Sequence, residues 1–311
     1  MKASDKYELI DKTMKADGNV LGVKGLCAVA GVSRSGYYHW KQEESARERR
    51  EEQDRKDFDL ILKAYRFRGK AKGFRQIHMT LLHLDSPVLM NTKKIRRLMK
   101  KYGLRCPVRK PNPYRKLARD MQTELYAENI LDRRFEELGP RKVLLTDITY
   151  IPMNDKFCYL SVVLDAYTKQ VLSYVLSRTL EVDFVLETIE RLLEKYRDTL
   201  MTDTLIHSDQ GCHYTSHKFI DFIRDAGLRR SMSRRGNCWD NAPQESFFGH
   251  MKDELDLSSC RTFEDVKAAI DEHMDYYNKD RYQWDLMKLS PNEYYEYCIT
   301  GVDPLINFRH N

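Results

Sequence analysis

No two cysteines in this 311-residue chain are spaced C-x-x-C, and its seven cysteines (27, 106, 158, 212, 238, 260 and 298) are scattered and odd in number. That excludes a zinc ribbon and a disulfide framework, and fits a reduced compartment. No stretch approaches the roughly 20 apolar residues needed to span a bilayer. The N-terminus mixes acids with its bases and lacks the apolar core of a signal peptide. These absences point to the cytoplasm. From Ser86 to Arg119 there is no acidic residue, against 12 basic ones. The overall net charge of +6 conceals this asymmetry. Residues 1–120 hold 30 Lys/Arg and 14 Asp/Glu, a net of +16, whereas residues 121–311 hold 23 and 33, a net of −10. A basic front half joined to an acidic back half implies a polyanion-binding region fused to something different.

What is present in the front half is helical. Residues 5–16 read as a short helix broken at Gly18-Asn19. In Gly22 to Trp40, small apolar residues fill one helix, Gly31 permits a tight left-handed turn, and Ser33 is placed to cap a second helix carrying Arg34, Tyr37, Tyr38 and Trp40. This is a helix-turn-helix pattern whose second helix can enter a major groove, with Arg34 and Tyr37 as DNA contacts. A plain helical hairpin would use the same residues. Residues 45–66 read as one charged connecting helix. A second unit follows. A helix from Gly73 carries Arg75, and Asn91 caps another with Ile95, Leu98 and Met99 on one face. Lys93, Lys94, Arg96, Arg97, Lys100 and Lys101 occupy the remainder of that helix, suited to salt-sensitive phosphate contacts. The basic, proline-containing run Cys106–Arg119 reads as a linker. The expected division is therefore 1–44, 45–66, 67–104, 105–138, a core over 139–260, and a helical extension over 261–311.

From about Arg141 the texture changes. Three β-rich runs, Lys142–Pro152, Phe157–Asp165 and Gln170–Ser177, have short connections as in antiparallel hairpins. Then come a helix (Asp183–Tyr196), a short strand (Thr204–His207), a helix (Ser216–Ala226), a strand (Leu228–Met232) and two helices (Asn241–Leu255 and Phe263–Asn278). That order is an α/β (α+β) ribonuclease-H-like fold. It puts Asp147 on the first strand, Asp209 just past the fourth, and Glu245 on a helix against the sheet. Thirty-five residues separate Asp209 from Glu245. Three carboxylates so placed can converge on hard divalent cations, which take oxygen ligands and keep positions open for phosphate and water. Asp155 and Asp165 are rival ligands. His207, Cys212, His213 and His217 lack the spacing of a tetrahedral zinc site. The Ser233–Asn241 segment reads as a loop in which Arg234 and Arg235 can meet phosphates. Asn237 and Asn241 can hydrogen-bond there, and Trp239 can stack or serve as a buried ring.

The local words carry a resemblance. Thr146-Asp147-Ile148-Thr149-Tyr150-Ile151, His207-Ser208-Asp209-Gln210-Gly211-Cys212-His213-Tyr214-Thr215-Ser216 and the long run Ser231 to Gly249 containing Glu245 resemble the three acid motifs of insertion-sequence transposases. Ser290-Pro291-Asn292-Glu293-Tyr294 resembles their closing motif. The match is to OrfB-type transposases of the copy-out, paste-in insertion sequences, the IS-three family, and covers nearly the whole chain. The resemblance implies a DDE polynucleotidyl transferase of the retroviral-integrase superfamily, active in DNA transposition, integration and recombination. It implies Asp147, Asp209 and Glu245 as ligands of two magnesium ions, with manganese as a substitute, and Lys252 as a DNA contact near the active site. It further implies double-stranded DNA partners (the element's terminal inverted repeats and target DNA), a homo-oligomer, and fusion to an upstream helix-turn-helix and leucine-zipper product. Its setting would be the bacterial cytoplasm, associated with the nucleoid. Gln210, Cys212 and His213 depart from the usual second-acid motif. Two other readings stand beside this one: a DNA-binding regulator with an inert core, and a nuclease that only hydrolyses.

Overall fold

A computed structural model describes residues 1–70, 72–106, 139–153, 156–201, 203–232 and 242–308. The chain divides into two units, residues 1–63 and 64–311.

The first unit holds α1 (Ala3–Met14), α2 (Val23–Ala30), α3 (Arg34–Gln42) and most of α4 (Glu44–Arg66). Gly31 ends α2 with φ 64°, and the Ser33 hydroxyl accepts the Gly36 N–H at 3.1 Å to start α3. Ile10, Cys27 and Tyr37 form the core of the three short helices, flanked by Tyr7, Leu26 and Trp40. A Cβ at Gly36 would stand 2.2 Å from the Tyr7 hydroxyl oxygen, so a side chain there would have to displace Tyr7. One expectation is corrected. Tyr37 is not presented to DNA; it is 5% exposed, and its hydroxyl donates to Asp11 Oδ1 at 3.1 Å. Lys15 and Lys41 bind the same carboxylate at 2.8 and 2.9 Å, so the acceptor that holds Tyr37 inward is itself fixed. Burying the ring among apolar neighbours with its hydroxyl satisfied outweighs leaving it in water.

The second unit opens with a helix pair, α5 (Phe74–Leu82) and α6 (Thr92–Lys101). Asn91 caps α6 by accepting the Lys93 N–H at 2.8 Å. Ile95, Leu98 and Met99 are buried, whereas Lys93, Arg96, Arg97, Lys100 and Lys101 are exposed. A sheet of five strands follows: β1 (Val143–Met153), β2 (Lys156–Asp165), β3 (Val171–Ser177), β4 (Leu205–Ser208) and β5 (Arg229–Met232). Their order is β3-β2-β1-β4-β5. The first three are antiparallel, and β4 and β5 run parallel to β1. The interleaved helices are α7 (Val182–Tyr196), the single turn α8 (Cys212–Thr215), α9 (His217–Asp225), α10 (Ala242–Glu254), α11 (Phe263–Lys279) and α12 (Pro291–Thr300). The ribonuclease-H-like order expected from the sequence holds; the turn α8 was not anticipated.

Strand alternation sorts the core into two faces. Val143, Leu145, Ile151, Leu160 and Val162 pack with Phe247, Phe248 and Met251 of α10 and Val266, Ile270 and Met274 of α11. Leu144, Val163 and Ile206 pack on the other face with Val185, Ile189 and Leu192 of α7 and Phe219 and Ile223 of α9. The α5–α6 pair is fastened to the chain's closing segment. Gln76 donates to the Tyr282 carbonyl at 2.8 Å, the His83 ring stacks on Tyr282 with centroids 3.7 Å apart, and His83 lies 3.4 Å from Glu293. Glu293 also closes the cap of α12, accepting the Ser290 N–H at 2.8 Å. Among the described residues no helix is long and apolar enough to cross a membrane.

Candidate active site

Asp147 lies in the middle of β1, on the same face as Leu145 and Ile151, and therefore on the side covered by α10. The Ile148 N–H donates to its Oδ1 at 2.7 Å. Burial pushes the Asp147 carboxyl up to about 7, and the charges of Asp209 and Glu245 push the same way. The Ile148 N–H and the Lys252 ammonium pull it down. Asp209, Glu245 and Lys252 thus all act electrostatically on Asp147, although they come from the end of β4 and two positions on α10.

Asp209 follows β4 directly and is exposed. Its Oδ1 accepts the Gly211 N–H at 2.8 Å, and a Cβ on Gly211 would stand 2.9 Å from that same oxygen. A larger residue here would displace the Asp209 carboxylate, whereas the backbone angle, with φ of −59°, suits any residue. Three residues on, Tyr214 turns inward and is 1% exposed. Its hydroxyl lies 3.5 Å from Thr146 Oγ1, its ring meets Phe219 edge-on, and its carbonyl accepts from Arg230 at 3.1 Å. Burial raises the Tyr214 phenol, and the charges of Asp147 and Asp209 add to this. Tyr214 therefore ties the Asp209 turn to the strand that carries Asp147.

Glu245 and Lys252 are exposed on α10, with Phe247, Phe248 and Met251 turned into the core between them. Gln244 is fully buried and donates to the Val162 carbonyl of β2 at 3.4 Å, which pins the start of α10 to the sheet. Lys252 is lowered by partial burial and raised by the charge of Asp147. Gly211, Tyr214 and Gln244 were given no role in the sequence reading. Each of Tyr214 and Gln244 lies within a motif, which is the one signal the sequence offered for them.

The donor set suits a hard cation. It consists of carboxylate oxygens, and the mutual repulsion felt at Asp147 is what a positive ion would relieve. Among the described residues, however, no three His, Cys, Asp or Glu side chains are gathered into a metal-binding group. The rival Asp165 is committed elsewhere. It is fully buried, accepts from the Thr168 hydroxyl at 2.9 Å and the Tyr167 N–H at 3.0 Å, and faces Arg141 at 3.5 Å. Asp155 lies outside the described residues. Arg234, Arg235, Asn237, Trp239 and Asn241 do so as well. Arg34 and Arg75 are exposed, and Lys94 is half-buried.

The Integrase core domain family matches residues 137–238, and a second Integrase core domain family matches residues 226–291. An HTH-like domain family matches residues 52–112, taking in the end of α4 with α5 and α6. The chain is 33% identical over 224 residues to InsK of insertion sequence element IS150 from Escherichia coli K12, covering 71% of this chain and 76% of that protein. It is 29% identical over 251 residues to the transposase InsF of insertion sequence IS3A from the same strain, covering 80% and 83%. Among solved structures, the HTLV-2 integrase catalytic core domain in complex with magnesium matches with 18% identity and a TM-score of 0.40, covering 51% of this chain and 98% of that one.

Proposed function

This chain belongs to the IS3 family of insertion-sequence transposases, and from that premise we propose that Asp147, Asp209 and Glu245 are its three catalytic carboxylates. The enzyme is a DDE-type polynucleotidyl transferase, with a DNA-binding HTH-like domain ahead of an integrase core. Cores of this superfamily work with divalent metal. We assign the metal to magnesium, two ions, held by the three carboxylates, with manganese able to substitute. The observation that carries the assignment is the coupling at Asp147: two carboxylates from other elements act on a third that is already partly buried, with Lys252 the cation among them.

Bound magnesium would neutralise phosphate charge and favour ionisation of an attacking hydroxyl. The chain's own residues set where this happens. Asp147 is held by the regular β1–β2 register, Asp209 by the Gly211 turn, and Glu245 by the anchoring of Gln244. Lys252 is the residue placed to hold a DNA phosphate beside them. In the first reaction a water oxygen bonds to phosphorus at the element's end. The bond to the 3′-oxygen breaks, leaving a 3′-hydroxyl and a 5′-phosphate. In the second, that 3′-oxygen bonds to another phosphorus, which releases a different 3′-oxygen, so the number of phosphodiesters is unchanged.

Arg34, the exposed cations of α5 and α6 (Arg75, Lys93, Arg96, Arg97, Lys100, Lys101) and Lys94 supply phosphate contacts, and Arg234, Arg235, Asn237, Trp239 and Asn241 supply further DNA contacts. Recognition is of terminal inverted repeats and target DNA, within a homo-oligomer that holds both ends. The enzyme acts where its DNA is, at the nucleoid, with an upstream helix-turn-helix and leucine-zipper product fused to it or beside it. The test is direct. Protein, magnesium and a labelled DNA end are incubated, and joined products are scored. Asp147→Asn is expected to abolish cleavage and joining while DNA binding persists. Near wild-type cleavage by that variant would overturn the assignment.

A further inference from the structure

Trp284 is a large ring left 43% exposed on a charged surface, and its neighbours are cations. The Arg75 guanidinium lies 5.7 Å from its centroid and the Lys288 ammonium 5.3 Å, while the His78 ring stands 6.0 Å away. Arg75 and His78 belong to α5; Trp284 and Lys288 belong to the loop between α11 and α12, some two hundred residues later in the chain. The patch extends toward α6, whose Arg96 lies over Phe74 at 4.4 Å, and the exposed Asp285 is the acid beside the ring. Arg75, Arg96 and Lys288, from three elements, outnumber it.

The loop is built to hold this shape. Met287 and Lys288 are consecutive non-glycine residues in the left-handed region, with φ of 57° and 65°. Such backbone persists only where surrounding structure enforces it. Here the Gln283 N–H donates to the Leu289 carbonyl at 2.9 Å and the Lys288 N–H to the Gln283 carbonyl at 3.0 Å. The fully buried Leu289 and the buried Leu286 anchor the loop from beneath. The strained turn leaves Lys288 and Trp284 at the surface beside Arg75.

We propose that Arg75, Trp284 and Lys288 form one composite DNA-contacting surface, in which the two cations meet backbone phosphates and the indole packs against a sugar or base. An exposed aromatic face set among fixed cations matches a polyanion with apolar rings. The segment after α11 thereby becomes part of the recognition surface rather than only a brace for the core. This inference rests on the transposase reading, since it takes DNA to be the ligand.

The test is binding of a labelled duplex of mixed sequence to the full chain across a salt series. Arg75→Ala and Lys288→Ala are each expected to weaken binding and to lower the slope of log K against log salt by about 0.9. Trp284→Ala is expected to weaken binding about tenfold while leaving the slope unchanged, because stacking releases no counterion. Trp284→Phe should recover most of the loss. Thermal unfolding of each variant separates a folding defect, and should Trp284→Ala unfold, the two cation variants and Trp284→Phe still decide. Wild-type slope and affinity in both cation variants would overturn the proposal while leaving the transposase reading standing. Absence of DNA binding by the unaltered chain would overturn both.

Discussion

Two aspartates on one hairpin meet opposite fates. Asp165, at the end of β2, is enclosed by donors: the Thr168 hydroxyl, the Tyr167 and Arg141 N–H groups, and the Arg141 guanidinium. That guanidinium is in turn packed between Tyr196 and Tyr295, 4.8 and 4.3 Å from their centroids, and donates to Gln170 at 2.6 Å. Asp147, on the paired strand, is pushed up to about 7 by burial, with other carboxylates adding to the effect. Asp11 in the first unit completes the contrast. Hydrogen bonds from Lys15, Lys41 and Tyr37 hold its carboxyl down at about 2 despite burial. A carboxylate that serves the fold is surrounded by fixed positive or donating groups. Asp147, the proposed cation ligand, is instead half-buried with two further carboxylates acting on it.

The sharpest way to break this comparison is to neutralise each acid. Asp147→Asn should cost far more activity than the ~100-fold expected for loss of a supporting residue, with melting temperature equal to or above the wild type in metal-free buffer. Asp165→Asn should cost about 3–5 kcal/mol of stability, because Arg141 is left buried without its counter-charge. Chemical denaturation and a joining assay read both; equal stability loss in the two variants would erase the distinction. A step down in size is Gly211→Ala. Its Cβ displaces the Asp209 carboxylate, so joining should fall about 10–100-fold with little change in unfolding midpoint. Unchanged joining would show that the Asp209 position is not critical.

Asp11 supplies the pH test. Its folded pKa lies below its unfolded value, near 3.9. Its contribution is therefore fully present above about pH 4 and is lost as pH falls toward 2. Thermal melting of the N-terminal unit should drop through that window, and Lys41→Ala should flatten the drop. A drop of the same size without Lys41 would remove the ion pair from the explanation. The smallest effect is expected from Tyr214→Phe, which deletes one hydroxyl beside Thr146. It should cost about 1 kcal/mol, with a detectable fall in joining because the tie between Asp209 and β1 is loosened. No change in either would leave Tyr214 a space-filling ring.

Much of the sheet was readable from the chain. Apolar runs with short connections predict β1 to β3, and the alternating faces follow from period-two burial. The placement of Asp147 on β1, Asp209 past β4 and Glu245 on α10 follows from the same patterns. Tyr37 was misplaced because a helix-turn-helix pattern says which helix is second, not which of its faces the first helix covers. Gly211 was illegible because its role is a 2.9 Å clash that exists only once Asp209 has folded back on its own turn. Nor could local sequence pair Gln76 with Tyr282 or Arg141 with Asp165. Those partnerships are set by tertiary packing, which spacing along the chain does not encode.

The fastening of α5 to Tyr282 and Glu293 has a metric consequence. The α5–α6 pair and the sheet that carries Asp147 belong to the same compact unit, so on the proposed assignment the distance between held base pairs and the severed bond is built into the protein. The enzyme would then act as a gauge. Shifting a terminal repeat by a few base pairs should leave grip intact yet move the cut by the same number of nucleotides.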